Sequence, residues 1–174
     1  MFTLNNDDKS LMTNNQTSTR FQYNSTQDTY IIFCIAMAVD AYIPDNYIEK
    51  PRYKMEIYRR CSELVYEDRE DLLDEIIDRF GEPPVEVINL WRVAVLRSLC
   101  RLLRIRGISV KQNEVRINFD EKSLAKPEEI MKLVQEYSPG AQFKNGLHAQ
   151  LLIKKANIEK QSIEWLEKAL VNML

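Results

Sequence analysis

The chain has 174 residues, with 24 lysines and arginines, 26 aspartates and glutamates, and a formal net charge of -2. This length suits a single domain that needs no disulfide or metal to stabilise its core, and the small net charge excludes a strong overall field for nucleic acid. The three cysteines are odd in number, widely spaced and outside any CxxC pair, so they indicate neither a disulfide framework nor a zinc site.

The first 29 residues are rich in Asn, Thr, Ser, Gln and Asp and poor in aliphatic side chains. This composition cannot bury enough surface to offset the entropy of the chain. Residues 1–29 are therefore predicted to be disordered or to form a loosely docked polar tail. Residues 30–174 are predicted to form one domain.

The apolar run from Tyr30 to Val39 predicts a strand that is buried on both faces, with a short buried helix as the alternative. The run is too short for a membrane-spanning helix, which requires ~20 residues. A signal peptide would have a positively charged segment directly before its apolar run, and no such segment precedes this one. We therefore expect a cytoplasmic protein that has no membrane partner.

The segment from Ala41 to Ile48 contains Pro44 and the pair Asp45-Asn46, which predict a turn. A first helix is then predicted to begin near Pro51, because proline is favoured in the first turn of a helix. Its inward side is predicted from apolar residues at helical spacing, namely Tyr53, Ile57, Cys61 and Leu64.

A second, acidic helix is predicted over residues 67–80. Its apolar residues share one stripe, and its charged residues, Asp71, Asp74, Glu75, Asp78 and Arg79, line the opposite side. Gly81 is predicted to end this helix, and Pro83-Pro84 to begin the next one. The two helices should therefore meet at a sharp corner.

A long helix is predicted from Pro84 to about Arg106, with a wide apolar face and Gly107 as its end. Alternating apolar and polar residues then predict a hairpin between 108–110 and 115–119. The register of this hairpin places Val115, Ile117 and Phe119 on the same face.

A further helix is predicted over residues 127–137, followed by a second hairpin between 142–144 and 148–153 and by a last helix. The pair Asn145-Gly146 predicts a two-residue type I′ turn in this hairpin. The predicted fold class is α+β, in which a helical cluster with a central long helix packs on a small antiparallel sheet of two hairpins, with intervening and terminal helices.

The sequence lacks a phosphate-binding loop, since GxxxxGK[ST] does not occur and the four glycines are scattered. We expect no ATP hydrolysis, no cofactor and no catalytic residue. His148 is the only histidine and follows a turn glycine, so it is interpreted as a strand residue rather than a catalyst or a metal ligand.

The acidic helix offers four neighbouring carboxylates, Asp71, Asp74, Glu75 and Asp78. Their spacing is compatible with acid–base chemistry, with Mg²⁺ binding or with an ordinary solvated helix face. No set of convergent polar groups accompanies them, as a reaction centre would require. A protein-binding surface that also includes Arg79 is the functional hypothesis we prefer.

Charge is unevenly distributed, because residues 92–118 contain seven basic residues and one acidic residue. Arg97, Arg101 and Arg104 share a side of the long helix and are the candidate nucleic-acid contacts. The competing interpretation is that these arginines pair with the acidic helix or extend over the edge of the core. No aromatic residues interleave with them as a stacking platform would need, so nucleic acid is not the expected partner.

Three motifs occur in order, VDAYIPDNYI at 39–48, MEIYRRC at 55–61 and DEIIDRFGEPP at 74–84. Together they resemble the C-terminal domain of the bacterial transcription-repair coupling factor. The resemblance extends from about residue 39 to residue 174. Residues 1–38 do not resemble the helicase-type motor that family members would be expected to carry there.

The resemblance implies a non-enzymatic regulatory domain of an ATP-dependent DNA translocase that acts in transcription-coupled repair. In that family the domain docks on an N-terminal, excision-nuclease-like module as an autoinhibitory lid, which makes this module the expected partner. By motif position, Glu75, Asp78 and Arg79 are the docking residues. A lid without its motor implies either the end of a longer protein or a stand-alone relic.

Overall fold

The structure is a computed structural model that describes residues 34–36, 39–111, 114–146, 148–154 and 162–174. The prediction for the tail over 1–29 lies outside the described residues. Within them the fold is α+β, as predicted. The helices are α1 (Pro51–Glu63), α2 (Arg69–Phe80), α3 (Val85–Leu103), α4 (Pro127–Glu136) and α5 (Ser162–Met173), and the strands are β1 (Cys34–Ala36), β2 (Ile105–Val110), β3 (Glu114–Phe119), β4 (Ala141–Lys144) and β5 (Gln150–Lys154).

The strands form one sheet in the order β1-β2-β3-β5-β4. The two predicted hairpins, β2–β3 and β4–β5, are present and join through antiparallel pairing of β3 with β5. The strand predicted between Tyr30 and Val39 is confirmed over Cys34–Ala36, but it pairs with β2 in parallel. Sequence periodicity did not predict this pairing, because a short apolar run carries no information about strand direction.

Helix α3 is the centre of the core, as its wide apolar face predicted. Its fully buried side chains include Val95, Leu96, Leu99 and Leu103. It packs against α5, α1 and β2. On the sheet, Val115, Ile117 and Phe119 of β3 are buried together, which confirms the predicted register. No helix in the described parts of the chain has both the length and the apolar character needed to cross a membrane.

The end of α3 differs from the prediction that the helix continues to Arg106 and stops at Gly107. The helix ends at Leu103, and Arg104 adopts a left-handed conformation with φ 52° and ψ 52°. The chain therefore enters β2 at Ile105, and Gly107 lies inside that strand, next to a register shift between Ile105 and Gly107. The prediction placed the helix end at Gly107 because glycine is favoured in the left-handed conformation that ends a helix, whereas arginine is not.

Arg104→Gly is expected to stabilise the fold by about 0.5–1 kcal/mol, because glycine adopts the left-handed conformation without the steric cost that a side chain incurs there. The Arg104 side chain is exposed, so little packing is lost. Urea denaturation would measure the change. Arg104→Ala is the control, since alanine keeps the steric cost; an equal gain with alanine would show that the backbone conformation is not the cause.

The second hairpin also differs from the prediction. Lys144 pairs with Gln150, so residues 145–149 connect the strands and the two-residue type I′ turn is wrong. Gly146 does have a positive φ of 139°. The Asn-Gly pair correctly marked a position with unusual backbone, but the strand ends are set by where Leu151 and Ile153 enter the core.

Candidate interaction surface on helices α1 and α2

Helix α2 divides into a buried side and an exposed acidic side. Leu72 and Ile76 are buried at 2% and 1% exposure. Asp71, Asp74 and Asp78 are exposed, and they recur at intervals of three and four residues along one side of the helix. We call these three aspartates the acidic ridge. Its carboxylates are not gathered around any enclosed site, so the ridge faces solvent.

Glu75 and Arg79, which were predicted to share the outward side, lie a quarter turn away and contact α1. Arg79 Nη1 donates to Glu75 Oε1 at 2.7 Å and to Glu56 Oε1 at 2.9 Å, and Arg79 Nη2 donates to Glu56 Oε2 at 3.2 Å. Glu75 also accepts a hydrogen bond from Arg60. These four charged residues therefore link α1 to α2 with no net charge.

An aromatic platform supports the Arg79 guanidinium. Its Cζ lies 5.6 Å from the centre of the Tyr53 ring and 5.0 Å from that of Phe80. The hydrogen bonds that Arg79 donates to Glu56 and Glu75 raise the pKa of Arg79, and the bond from Arg79 lowers the pKa of Glu56. Both groups therefore stay ionised across the physiological pH range.

The corner after α2 joins this surface to the preceding turn. Gly81 adopts φ 82° and ψ -169°, and its amide donates to the carbonyl of Ile77 at 2.8 Å. The Tyr47 hydroxyl donates to the carbonyl of Gly81 at 2.7 Å, and the Tyr47 ring packs edge-on against Phe80. The predicted sharp corner is present, and Tyr47 fixes it from the outside.

Two of the three candidate nucleic-acid contacts make hydrogen bonds within the domain. Arg97 Nη1 and Arg101 Nη2 both donate to the carbonyl of Ser62, at 3.1 and 3.2 Å, near the end of α1. Burial and the neighbouring Arg101 lower the pKa of Arg97. Arg104, at the left-handed end of α3, has an exposed side chain. Two of the three arginines therefore bind a helix C-terminus, where cations are stabilised.

The other arginines in this segment are also engaged within the domain. Arg92 pairs with Glu164 of α5, and Arg106 Nε donates to Asp120 Oδ2 at 2.9 Å. The competing interpretation was that the arginines of this segment pair with the acidic helix or extend over the edge of the core. The partners seen here are instead α5 for Arg92 and the loop after β3 for Arg106. Four of the seven basic residues over 92–118 therefore make tertiary contacts, namely Arg92, Arg97, Arg101 and Arg106.

The described residues offer little that resembles a reaction centre. They contain no group of three His, Cys, Asp or Glu side chains placed to hold a metal ion. Burial raises the pKa of the Cys61 thiol to about 11, so this cysteine is an unreactive core residue. A cavity of about 390 Å³ lies on the sheet beside Gly107, away from α2, with Arg106, Asn118 and His148 in its lining.

Comparison with known proteins identifies the family. A family model described as TRCF domain matches residues 37–130, more than half of the chain. The chain belongs to the TRCF domain family. The matched region contains the acidic ridge, the Arg79 contacts and the corner at Gly81, so the candidate surface lies inside the domain that defines the family.

Relatives of this TRCF domain include two bacterial transcription-repair-coupling factors. The protein from Bacillus subtilis is 32% identical over 142 residues, covering 78% of this chain and 12% of the relative. The protein from Rickettsia conorii is 35% identical over 111 residues, covering 63% of this chain and 10% of the relative. This chain thus spans about a tenth of the length of the curated relatives it matches.

A solved structure is also similar to the TRCF domain described here. It is the crystal structure of the C-terminal domain of a transcription-repair coupling factor, with a TM-score of 0.68 and 27% sequence identity. The match covers 81% of this chain and 89% of that one. This structural match agrees with the resemblance seen in the sequence motifs.

Sequence reasoning missed the contribution of α1 to the surface. Glu56 and Arg60 lie four residues apart on α1, and each pairs with a residue of α2. Their spacing signals a charged stripe, but such a stripe is also typical of a solvated helix face. Only the packing of α1 against α2 distinguishes the two.

Proposed function

We propose that this TRCF domain is a non-catalytic regulatory domain of a transcription-repair coupling factor. It docks on the N-terminal, excision-nuclease-like module of that protein and acts as an autoinhibitory lid in transcription-coupled DNA repair. The observation that carries this proposal is the exposed acidic ridge of α2, held beside Arg79 at a rigid corner. The proposed location is the cytoplasm, with no membrane partner.

The polar character of the surface suits a contact that must be released. Charged groups at an interface set specificity and association rate more than they set affinity, and salt screens them readily. Within one long chain, a tethered partner is present at an effective concentration of the order of millimolar, so even a weak contact keeps a lid closed. A competing interaction that is only slightly more favourable can then displace the domain and open the lid.

Nucleic acid is the less favoured partner. A phosphate-binding face needs arginines that are available to the ligand, whereas Arg97 and Arg101 already donate to the carbonyl of Ser62. The basic side of α3 was the best sequence signal for nucleic acid, and two of its three arginines make contacts within the fold. We therefore do not propose a nucleic-acid-binding function.

Binding between the purified domain and the N-terminal module of the Bacillus subtilis relative tests the proposal. Asp78→Lys is expected to raise the dissociation constant about tenfold, because it reverses a charge in the middle of the polar contact. Isothermal titration calorimetry at low and moderate salt would measure both affinity and its decline with salt.

Glu136→Lys on α4 is the matched control, since Glu136, like Asp78, is an exposed acidic residue in the last turn of a helix. It should bind as the unmodified domain does, to within about twofold. Absence of binding by the unmodified domain, or equal losses in the two variants, would contradict the proposed docking function.

A further inference from the structure

The Arg79 side chain is held by residues of two helices. We call Glu56, Glu75, Tyr53 and Phe80 the Arg79 cradle. The two carboxylates accept three hydrogen bonds from Arg79, and the two rings lie within 6 Å of its guanidinium. Glu56 engages both Nη1 and Nη2, whereas Glu75 engages only Nη1. Glu56 is therefore the residue that fixes the orientation of the guanidinium plane.

The cradle leaves Arg79 able to bind a further group. A guanidinium has five N–H donors, and Glu56 and Glu75 take three of them. About a third of the Arg79 side chain, 32%, stays exposed to solvent. The remaining donors suit an acceptor on a partner, such as a carboxylate or a backbone carbonyl.

We infer that Glu56 is a positioning residue of the docking surface, which presents Arg79 to the partner in a fixed orientation. The docking surface then comprises both α1 and α2, with the acidic ridge on one flank and the Arg79 cradle on the other. This inference rests on the proposed docking function and identifies how one of its residues is held.

The physical reason is preorganisation. A free arginine has many rotamers, and binding must restrict them, which reduces affinity. In the cradle this restriction is already imposed by Glu56 and by the aromatic platform. Loss of Glu56 should therefore weaken docking without removing any group that touches the partner, and it should act only while Arg79 is present.

The first test needs no partner. NMR of the Arg79 side chain should show slow rotation about the Cζ–Nε bond in the unmodified domain, because Glu56 holds both terminal nitrogens. Glu56→Gln should restore fast rotation, since the neutral amide offers a single acceptor oxygen. Fast rotation in the unmodified domain would overturn the inference, whether or not the domain docks.

The second test is a double-mutant cycle on binding to the N-terminal module. Glu56→Gln should weaken binding about threefold, and should have no further effect in an Arg79→Ala background. An equal effect in both backgrounds would overturn the inference while leaving the docking function intact. A rigid Arg79 in a domain that does not bind would instead reject the docking function, and with it the role of Glu56 in docking, while showing that Glu56 does hold the guanidinium.

Glu63→Gln is the matched control for both tests. Glu63 also lies on α1 and pairs with an arginine, Arg59, at 3.8 Å, but it lies at the far end of the helix from the cradle. It should change neither the rotation of Arg79 nor the affinity. Thermal unfolding of each variant separates loss of fold from loss of positioning. If the role of Glu56 were purely structural, Glu56→Gln would lower the melting temperature, and its effect on binding would simply add to that of Arg79→Ala.

Discussion

Leu99→Ala is expected to lower the free energy of unfolding by about 3 kcal/mol. Leu99 is fully buried on α3, in the helix that contacts α1, α5 and the sheet. Removing a buried isobutyl group loses its transfer free energy and leaves a cavity that a close-packed core fills only in part. Because α3 contacts several elements, no single neighbour can move into the space without opening another gap.

Urea denaturation followed by circular dichroism would measure the loss. Leu102→Ala is the control, since it makes the same chemical change three residues further along the same helix, where the residue is 38% exposed. The control should cost less than about 1 kcal/mol. Similar costs for both variants would show that α3 is not the centre of the core.

The fold was largely predictable because helical periodicity and strand alternation persist over long segments. In α3 the apolar residues surround most of the helix, which predicts a central position regardless of which elements pack on it. The alternation in β3 similarly fixed which side chains point inward. The parallel pairing of β1 could not be predicted in this way, because it depends on where a distant segment reaches the edge of β2.

The surface was predictable only at the level of one helix. Asp71, Asp74 and Asp78 form one line, and a helix of 3.6 residues per turn places Glu75 and Arg79 about 90° around from it. The angle follows from the sequence spacing, but the spacing does not indicate that α1 packs on the side of α2 that carries Glu75 and Arg79. The ion pairs of Arg79 with Glu56 and of Glu75 with Arg60 follow from tertiary packing, between residues separated by 23 and 15 positions.

The same limit explains the arginines of α3. Their positions predicted a shared basic side, and nothing local distinguished a ligand-binding side from one that closes a helix end. The carbonyl of Ser62, which binds both Arg97 and Arg101, lies 35 and 39 positions earlier in the chain. Two of the three arginines that carried the nucleic-acid signal thus make a long-range structural contact that the sequence pattern did not indicate.

Gly81→Ala is expected to lower the free energy of unfolding by about 2 kcal/mol. Gly81 has φ 82° and ψ -169°, a region of backbone space that is almost restricted to glycine. No atom lies within 4 Å of the position that a Cβ would take, so the cost arises from backbone strain and not from a clash with neighbours. Denaturation in urea would measure it, with Glu82→Ala as the control at the adjacent exposed position.

The variant should also disturb the surface, because Gly81 connects the corner to the cradle. Relaxation of the strained backbone would move its carbonyl away from the Tyr47 hydroxyl and would shift Phe80, which supports Arg79. We therefore expect Gly81→Ala to weaken docking even at temperatures where the domain stays folded, whereas Leu99→Ala should leave docking intact under the same conditions. Equal affinities for the two folded variants would show that the corner does not position the docking residues.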